Sequence, residues 1–161
     1  KAEDQVVCGD AMPDCSGTFG INMDYRGIFL NMSFYYQFGG QTYNQTLVDR
    51  VENVDVGLNV DKRIYNAVWK KPGDRVDFSY NPYRLTKPSS RFVQDLNELR
   101  LSSLNVGYDF RHCAFLKKSR LQQLKASFYM DDVFRASTVK TERGLTYPFA
   151  RTFSFSLQAT F

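Results

Sequence analysis

Hydrophobic and polar residues alternate strictly in five separate runs of the chain. From Thr18 to Tyr25, one side carries Phe19, Ile21, Met23 and Tyr25, and the other carries Thr18, Gly20, Asn22 and Asp24. Arg26-Gly27 follows as a tight turn. The next run, 28–38, sets Ile28, Leu30, Met32, Phe34, Tyr36 and Phe38 against Phe29, Asn31, Ser33, Tyr35 and Gln37. A third run covers 98–110. Its lower half sets Leu104, Val106, Tyr108 and Phe110 against Ser103, Asn105, Gly107 and Asp109. The fourth, 122–132, sets Leu124, Ala126, Phe128 and Met130 against Lys125, Ser127, Tyr129 and Asp131. In the last, 151–161, Phe153, Phe155, Leu157, Ala159 and Phe161 share one side, and Thr152, Ser154, Ser156, Gln158 and Thr160 the other. Successive side chains of a strand point to opposite faces, so a period of two predicts β-strands.

The composition of the polar sides separates two architectures. A strand of a soluble sandwich usually turns Lys and Glu to water. Here the polar sides are mostly Ser, Thr, Asn, Gln, Gly and Tyr. That suits the crowded interior of a membrane barrel, with large aromatics on the other side at the strand ends. Runs of about ten residues also match the length needed to cross a bilayer at a barrel's tilt. The fold expected is therefore all-β: an antiparallel up-and-down meander of five long strands, an open and curved sector of a transmembrane barrel. A soluble secreted β-sandwich binding module is the alternative.

Link lengths supply an orientation. Such barrels have short periplasmic turns and long extracellular loops. The links alternate accordingly: 26–27 is very short, 39–97 very long, 111–121 intermediate and 133–150 longer again. With Phe161 on the periplasmic side, the two longest links fall outside. The long link 39–97 carries short helices. Thr46 to Val51 reads as one helical turn. Asn59 to Trp69 reads as a short helix with Asn59 as its cap, ended by Lys71-Pro72-Gly73-Asp74.

Composition narrows the reading further. Aromatics are 16% of the chain, with 14 Phe and 10 Tyr, which favours strands. No stretch approaches the ~18 apolar residues of a membrane helix, and a mean hydropathy of −0.42 fits alternating strands. The net charge of +4 is scattered over segment ends and loops, so nucleic-acid binding is not expected. The chain starts at Lys1 with neither Met nor leader, which reads as a piece of a longer protein.

Candidate chemistry is sparse. One histidine, His112, excludes paired-His metal sites and argues against a Ser-His-Asp triad. No phosphate-cradling glycine loop precedes a helix. Neither an enzyme, a metal nor a cofactor is expected. Asp131-Asp132 could act as paired carboxylates, but a solvated strand end is the plainer reading. Cys8 and Cys15 could close a short disulfide loop, while three free thiols, with Cys113, is the plainer reading. Asn31 and Asn44 fit the glycosylation sequon by chance. Trp69, Phe78, Tyr80 and Tyr83 are candidate ligand or partner contacts in the long link, against loop self-packing.

Several segments resemble the C-terminal end of SusC/RagA-type TonB-dependent outer-membrane transporters. They are Val7-Cys8-Gly9-Asp10 through Gly17-Thr18-Phe19-Gly20, Tyr25-Arg26-Gly27-Ile28-Phe29-Leu30, and Phe38-Gly39-Gly40-Gln41-Thr42-Tyr43-Asn44. Asn59-Val60-Asp61-Lys62-Arg63 through Trp69-Lys70-Lys71-Pro72-Gly73-Asp74, Ser89-Ser90-Arg91-Phe92-Val93-Gln94-Asp95, and Arg151-Thr152-Phe153-Ser154-Phe155 continue the series. Each piece alone is weak; their order and spacing are the resemblance, which runs over nearly the whole chain. It departs at Tyr129-Met130-Asp131-Asp132-Val133-Phe134 and at the cysteines. The resemblance implies a barrel of about 22 strands with an internal plug, in the bacterial outer membrane. It implies import of oligosaccharides or peptides with a SusD-like surface lipoprotein, powered through TonB by an N-terminal part not in this chain. On that reading residues 1–161 are the C-terminal part of the barrel. Phe19, Ile21, Met23, Leu30, Met32, Phe34, Leu104, Val106, Phe128, Phe153, Phe155 and Leu157 face lipid. Leu157, Ala159 and Phe161 form the barrel-assembly signal.

Overall fold

The computed structural model describes residues 6–55, 57–79, 86–113, 116, 121–141 and 150–161. Five antiparallel strands form one open sheet: β1 (Cys15–Tyr25), β2 (Ile28–Tyr43), β3 (Val93–Asp109), β4 (Gln123–Ser137) and β5 (Phe153–Thr160). They lie in chain order, so each strand pairs with its sequence neighbours, as an up-and-down meander must. No helix among the described residues is long and apolar enough to cross a membrane.

Four of the strands run past the expected bounds, β1 by starting at Cys15. Gly39-Gly40 has the composition of a break, yet β2 continues to Tyr43. Gly39 takes a φ of +83° that a side chain would resist, and Gln41 N donates to Asp10 O at 2.8 Å beyond it. β3 starts at Val93, five residues before the expected start at Glu98. Asp131-Asp132 also looked like an end. Instead Asp132 adopts φ +49° inside a β-bulge and β4 carries on to Ser137. The β1–β2 turn is built as expected: Arg26 and Gly27 have φ of +50° and +88°, the left-handed pair that matches strand twist.

The chain divides into two compact units. One, the sheet unit, comprises residues 14–38, 97–137 and 150–161. Its pairing registers place like with like. Phe19 pairs Phe34, Ile21 pairs Met32 and Met23 pairs Leu30. Leu104 pairs Met130 and Val106 pairs Phe128. Phe128 in turn pairs Phe155, and Ala126 pairs Leu157. Phe19 and Phe34 stack with ring centroids 4.8 Å apart. Among the described apolar residues of this unit only Phe29 and Leu116 are buried.

The other, the loop unit, comprises residues 1–13, 39–96 and 138–149, and it has its own core. Leu47, Val48, Val51, Val68 and Phe92 are buried together, with Tyr43, Ile64 and Phe78 packed against them. Fully burying a side chain such as Phe92 contributes about 1.5–3 kcal/mol. The helical turn expected at 46–51 is present, and the second helix is shorter than expected. Asn44, itself buried, caps α1 (Gln45–Leu47), its Oδ1 accepting from Leu47 N at 3.2 Å. A π-helical turn, Val48–Glu52, follows. The helix expected at 59–69 is only α2 (Ile64–Ala67). Asn59 is not its cap. Asp61, buried, turns the chain instead, accepting from Arg63 N at 2.8 Å. Val68 leaves the helix because it bridges Phe78, with Trp69 N donating to Phe78 O at 2.9 Å.

An ion pair between buried Glu52 and exposed Arg91 locks this unit. The Glu52 carboxylate accepts from Arg91 and, at 2.7 Å, from Thr86 Oγ1. Arg91 also covers the Phe92 ring at 4.8 Å. Replacing Arg91 with Met leaves a buried carboxylate short of a donor. The expected loss is about 1–3 kcal/mol of loop stability. It would be read as faster limited proteolysis at residues 45–92 in the full-length protein, with Glu52→Gln/Arg91→Met losing less. Unchanged cleavage would refute a locking role.

Candidate functional site

The sheet unit offers two chemically distinct faces. On the apolar face every lipid-candidate residue named above lies in register with another apolar side chain where a pairing is recorded. This face is open to its surroundings. Phe153 and Phe155 are 69% and 71% exposed, and Leu157 is 63% exposed. An apolar surface of this extent is far beyond the scattered exposed side chains of a soluble monomer. Phe161 is exposed too, just past the end of β5.

The polar face is laced by side-chain hydrogen bonds. Ser127 and Ser156 share a hydrogen bond at 2.8 Å across β4 and β5. Tyr35 OH donates to Gln37 Oε1 at 2.7 Å, and Tyr129 OH to Asp131 Oδ1 at 2.5 Å. Phe29 lies on this face, over Gly107, with Lys125 Nζ 4.2 Å from its ring centroid. A Cβ on Gly107 would overlap the Phe29 ring and the Ala126 carbonyl oxygen. Glycine is the residue that fits there.

The bulge between β3 and β4 adds charge to the polar face. Leu101 pairs Phe134 but Ser103 pairs Asp131, so β4 holds one residue more than β3. Below it Leu104 pairs apolar Met130. Above it Arg100 covers the Tyr35 ring at 5.2 Å, and so lies on the face of Tyr35. Arg100 and Leu104 are four residues apart on one strand, yet face opposite ways. Leu99, pairing Ala136, and Leu101 take over the apolar positions. Arg135 donates to Glu98 Oε2 at 2.6 Å, and Glu98 is buried. These charged residues escaped sequence reasoning. The one signal was the phase slip in Leu101-Ser102-Ser103-Leu104, where apolar positions stand three apart.

The short links gather at one end of the sheet unit. Asp109 N donates to Gly27 O at 2.7 Å, which joins the β1–β2 turn to the end of β3. In the next link Arg111 Nη2 donates to Asp109 Oδ2 at 2.6 Å. Hydrogen bonding to that carboxylate raises the Arg111 pKa above its ordinary value, and the arginine stays charged at any physiological pH.

Of the loop candidates, Trp69 is 47% exposed. Phe78 stacks on Phe92 at 6.4 Å and is part of the core packing. Tyr80 and Tyr83 lie outside the described residues. Beside α2 is an open cleft of about 510 Å³ lined by Tyr65, Asn66, Lys70, Lys71, Asp74 and Arg75 among others. Asp74 Oδ2 braces its rim, accepting from Lys70 N and Lys71 N at 3.2 and 3.1 Å. Cys8, Cys15 and Cys113 are free thiols, and no metal-holding group of three or more His, Cys, Asp or Glu occurs among the described residues. Asp131 and Asp132 sit at the bulge.

Comparison with known proteins agrees with this architecture. No protein-family model matches the chain. TonB-dependent receptor P3 of Formosa agariphila is 26% identical over 98% of the chain, which spans 17% of that receptor. The RagAB peptide importer in its open-open state superposes with a TM-score of 0.67 over 94% of the chain and 17% of its own, at 17% identity. The closed-closed state gives 0.68 over 96% and 18%, again at 17% identity. The fold is therefore that of part of a TonB-dependent receptor barrel.

Proposed function

We propose that this chain, part of a TonB-dependent receptor of the bacterial outer membrane, supplies the C-terminal sector of a barrel that imports a nutrient. The observation that carries this reading is the apolar face, in register between β1 and β2 and from β3 through β5, and exposed on β1 and β5. A β-sandwich would need a second sheet against that face. A lipid bilayer covers it directly. In this reading Phe19, Ile21, Met23, Leu30, Met32, Phe34, Leu104, Val106, Phe128, Phe153, Phe155 and Leu157 face lipid. The opposite face, with its serines, tyrosines and amides, lines the barrel interior.

The long links would form outer-surface structure, and their packed core supports a role that needs a defined shape. Trp69 and the basic cleft beside α2 are the surfaces there for a solute or for a SusD-like lipoprotein. RagAB is a peptide importer. A peptide or an oligosaccharide is the solute class proposed here. Energy would arrive through TonB and a plug carried by the remainder of the receptor. Leu157, Ala159 and Phe161 would serve as the strand that the barrel-assembly machinery reads.

Produced alone, the chain is expected to precipitate in plain buffer and to be recovered in detergent micelles. Its apolar face and its β1 and β5 edges would have no other cover. Sedimentation with and without detergent reads this directly. A monodisperse monomer in plain buffer would overturn the barrel reading and favour the soluble module.

A further inference from the structure

We infer that the cleft beside α2 receives a carboxylate of the arriving solute, so that the receptor favours acidic solutes over neutral ones. It rests on the reading that this chain belongs to an importer whose long link lies outside. The cleft is built within the loop unit, from residues 65–76. Its floor is fixed. Val68 is buried in the loop core. Phe78 N donates to Ala67 O at 3.1 Å, and Trp69 N to Phe78 O at 2.9 Å. The rim is a closed turn, with Asp74 N donating to Lys71 O at 3.2 Å. The cleft's volume of about 510 Å³ lies within the ~300–1,000 Å³ of small-molecule sites.

The charge around it is one-sided. Lys70, Lys71 and Arg75 line it, against the carboxylate of Asp74. That carboxylate is already engaged, since its Oδ2 accepts from the main-chain N–H of both lysines. Lys70 Nζ donates to the neutral Tyr65 carbonyl oxygen and lies 5.8 Å from the Tyr65 ring centroid. Lys71 and Arg75 are exposed, and neither forms an ion pair among the described residues. Arg63 and Arg91 of the same unit each hold a buried carboxylate; the cleft cations have no comparable partner. A carboxylate entering the cleft would meet two ammonium groups and a guanidinium fork, which binds it through paired hydrogen bonds. The exposed Tyr65 ring would cover the carbon skeleton behind it. A concave site of this size suits part of a solute, whereas a partner protein needs roughly 800 Å² of surface on each side. The anion common to peptides and oligosaccharides is the carboxylate, as an acidic side chain, a chain terminus or a uronate.

The test uses the full-length receptor purified in detergent. Binding of fluorescent tetraglutamate and tetragalacturonate is measured beside the uncharged tetraglutamine and tetragalactose. One charged probe should bind about tenfold tighter than its neutral counterpart, and which one does so identifies the source of the carboxylate. Lys71→Gln/Arg75→Gln should weaken that probe about fivefold and leave the neutral one unchanged. Both side chains are exposed and unpaired, so the variant should fold. Lys62→Gln removes an exposed cation of the same unit outside the cleft and should change nothing. Charged probes that bind no better than neutral ones, an unaltered Kd in the double variant, or an equal loss in Lys62→Gln would overturn the proposal. So would a double variant that binds the probes normally but no longer co-purifies with a surface lipoprotein. Heat-modifiable migration of the same preparations checks the barrel reading separately.

Discussion

Leu104→Arg in the full-length receptor is expected to cost about 2–4 kcal/mol of barrel stability, and Ser33→Arg close to nothing. Leu104 lies five residues from the Asp109 end of β3, and Ser33 five residues from the Ile28 end of β2. At ~3.3 Å per residue and a tilt of ~40°, both are about 12–13 Å above the strand ends. That is the middle of an apolar band ~25 Å tall. The two sites therefore share a depth and differ only in the face they occupy. Leu104 belongs to the apolar row with Met130 and Phe153. Ser33 pairs Gly20 on the polar face. Urea unfolding of the receptor in lipid vesicles measures both. Equal losses at the two sites, or a larger loss at Ser33, would reverse the assignment of the faces.

Gly107→Ala should be as damaging with a single added methyl. Overpacking usually costs about 1–3 kcal/mol because side chains can shift aside. Here one of the two atoms met is the Ala126 carbonyl oxygen, which is tied into the sheet, and the other belongs to the Phe29 ring. The ring is itself capped by Lys125. The expected result is a marked fall in heat-modifiable, protease-resistant receptor in the outer membrane. The double variant Phe29→Ala/Gly107→Ala separates the two causes. Removing the ring leaves the carbonyl in place, so rescue should be slight. Full rescue would mean that the ring alone sets the constraint.

Much of this was legible from alternation. Phe153 to Phe161 and Ile28 to Phe38 announce their two faces without ambiguity. The limits lay where local propensity spoke against pairing. Gly39-Gly40 and Asp131-Asp132 look like ends to a window of a few residues, yet ladder pairing runs through both. In the loop, the 59–69 pattern reads as one helix, but Val68 is drawn into a bridge with Phe78 and the helix stops at Ala67.

By itself the sequence determined how many strands there are and, away from the bulge, which side chains share a face. Those are properties of residues two apart, and geometry along a single strand settles them. The tertiary structure alone decided the register, and with it the bulge, the close fit of Phe29 over Gly107, and the meeting of Arg100 with Arg135. Such features join residues tens of positions apart. Their energy comes from cross-strand contacts that exist only once the strands lie side by side, so no local pattern encodes them.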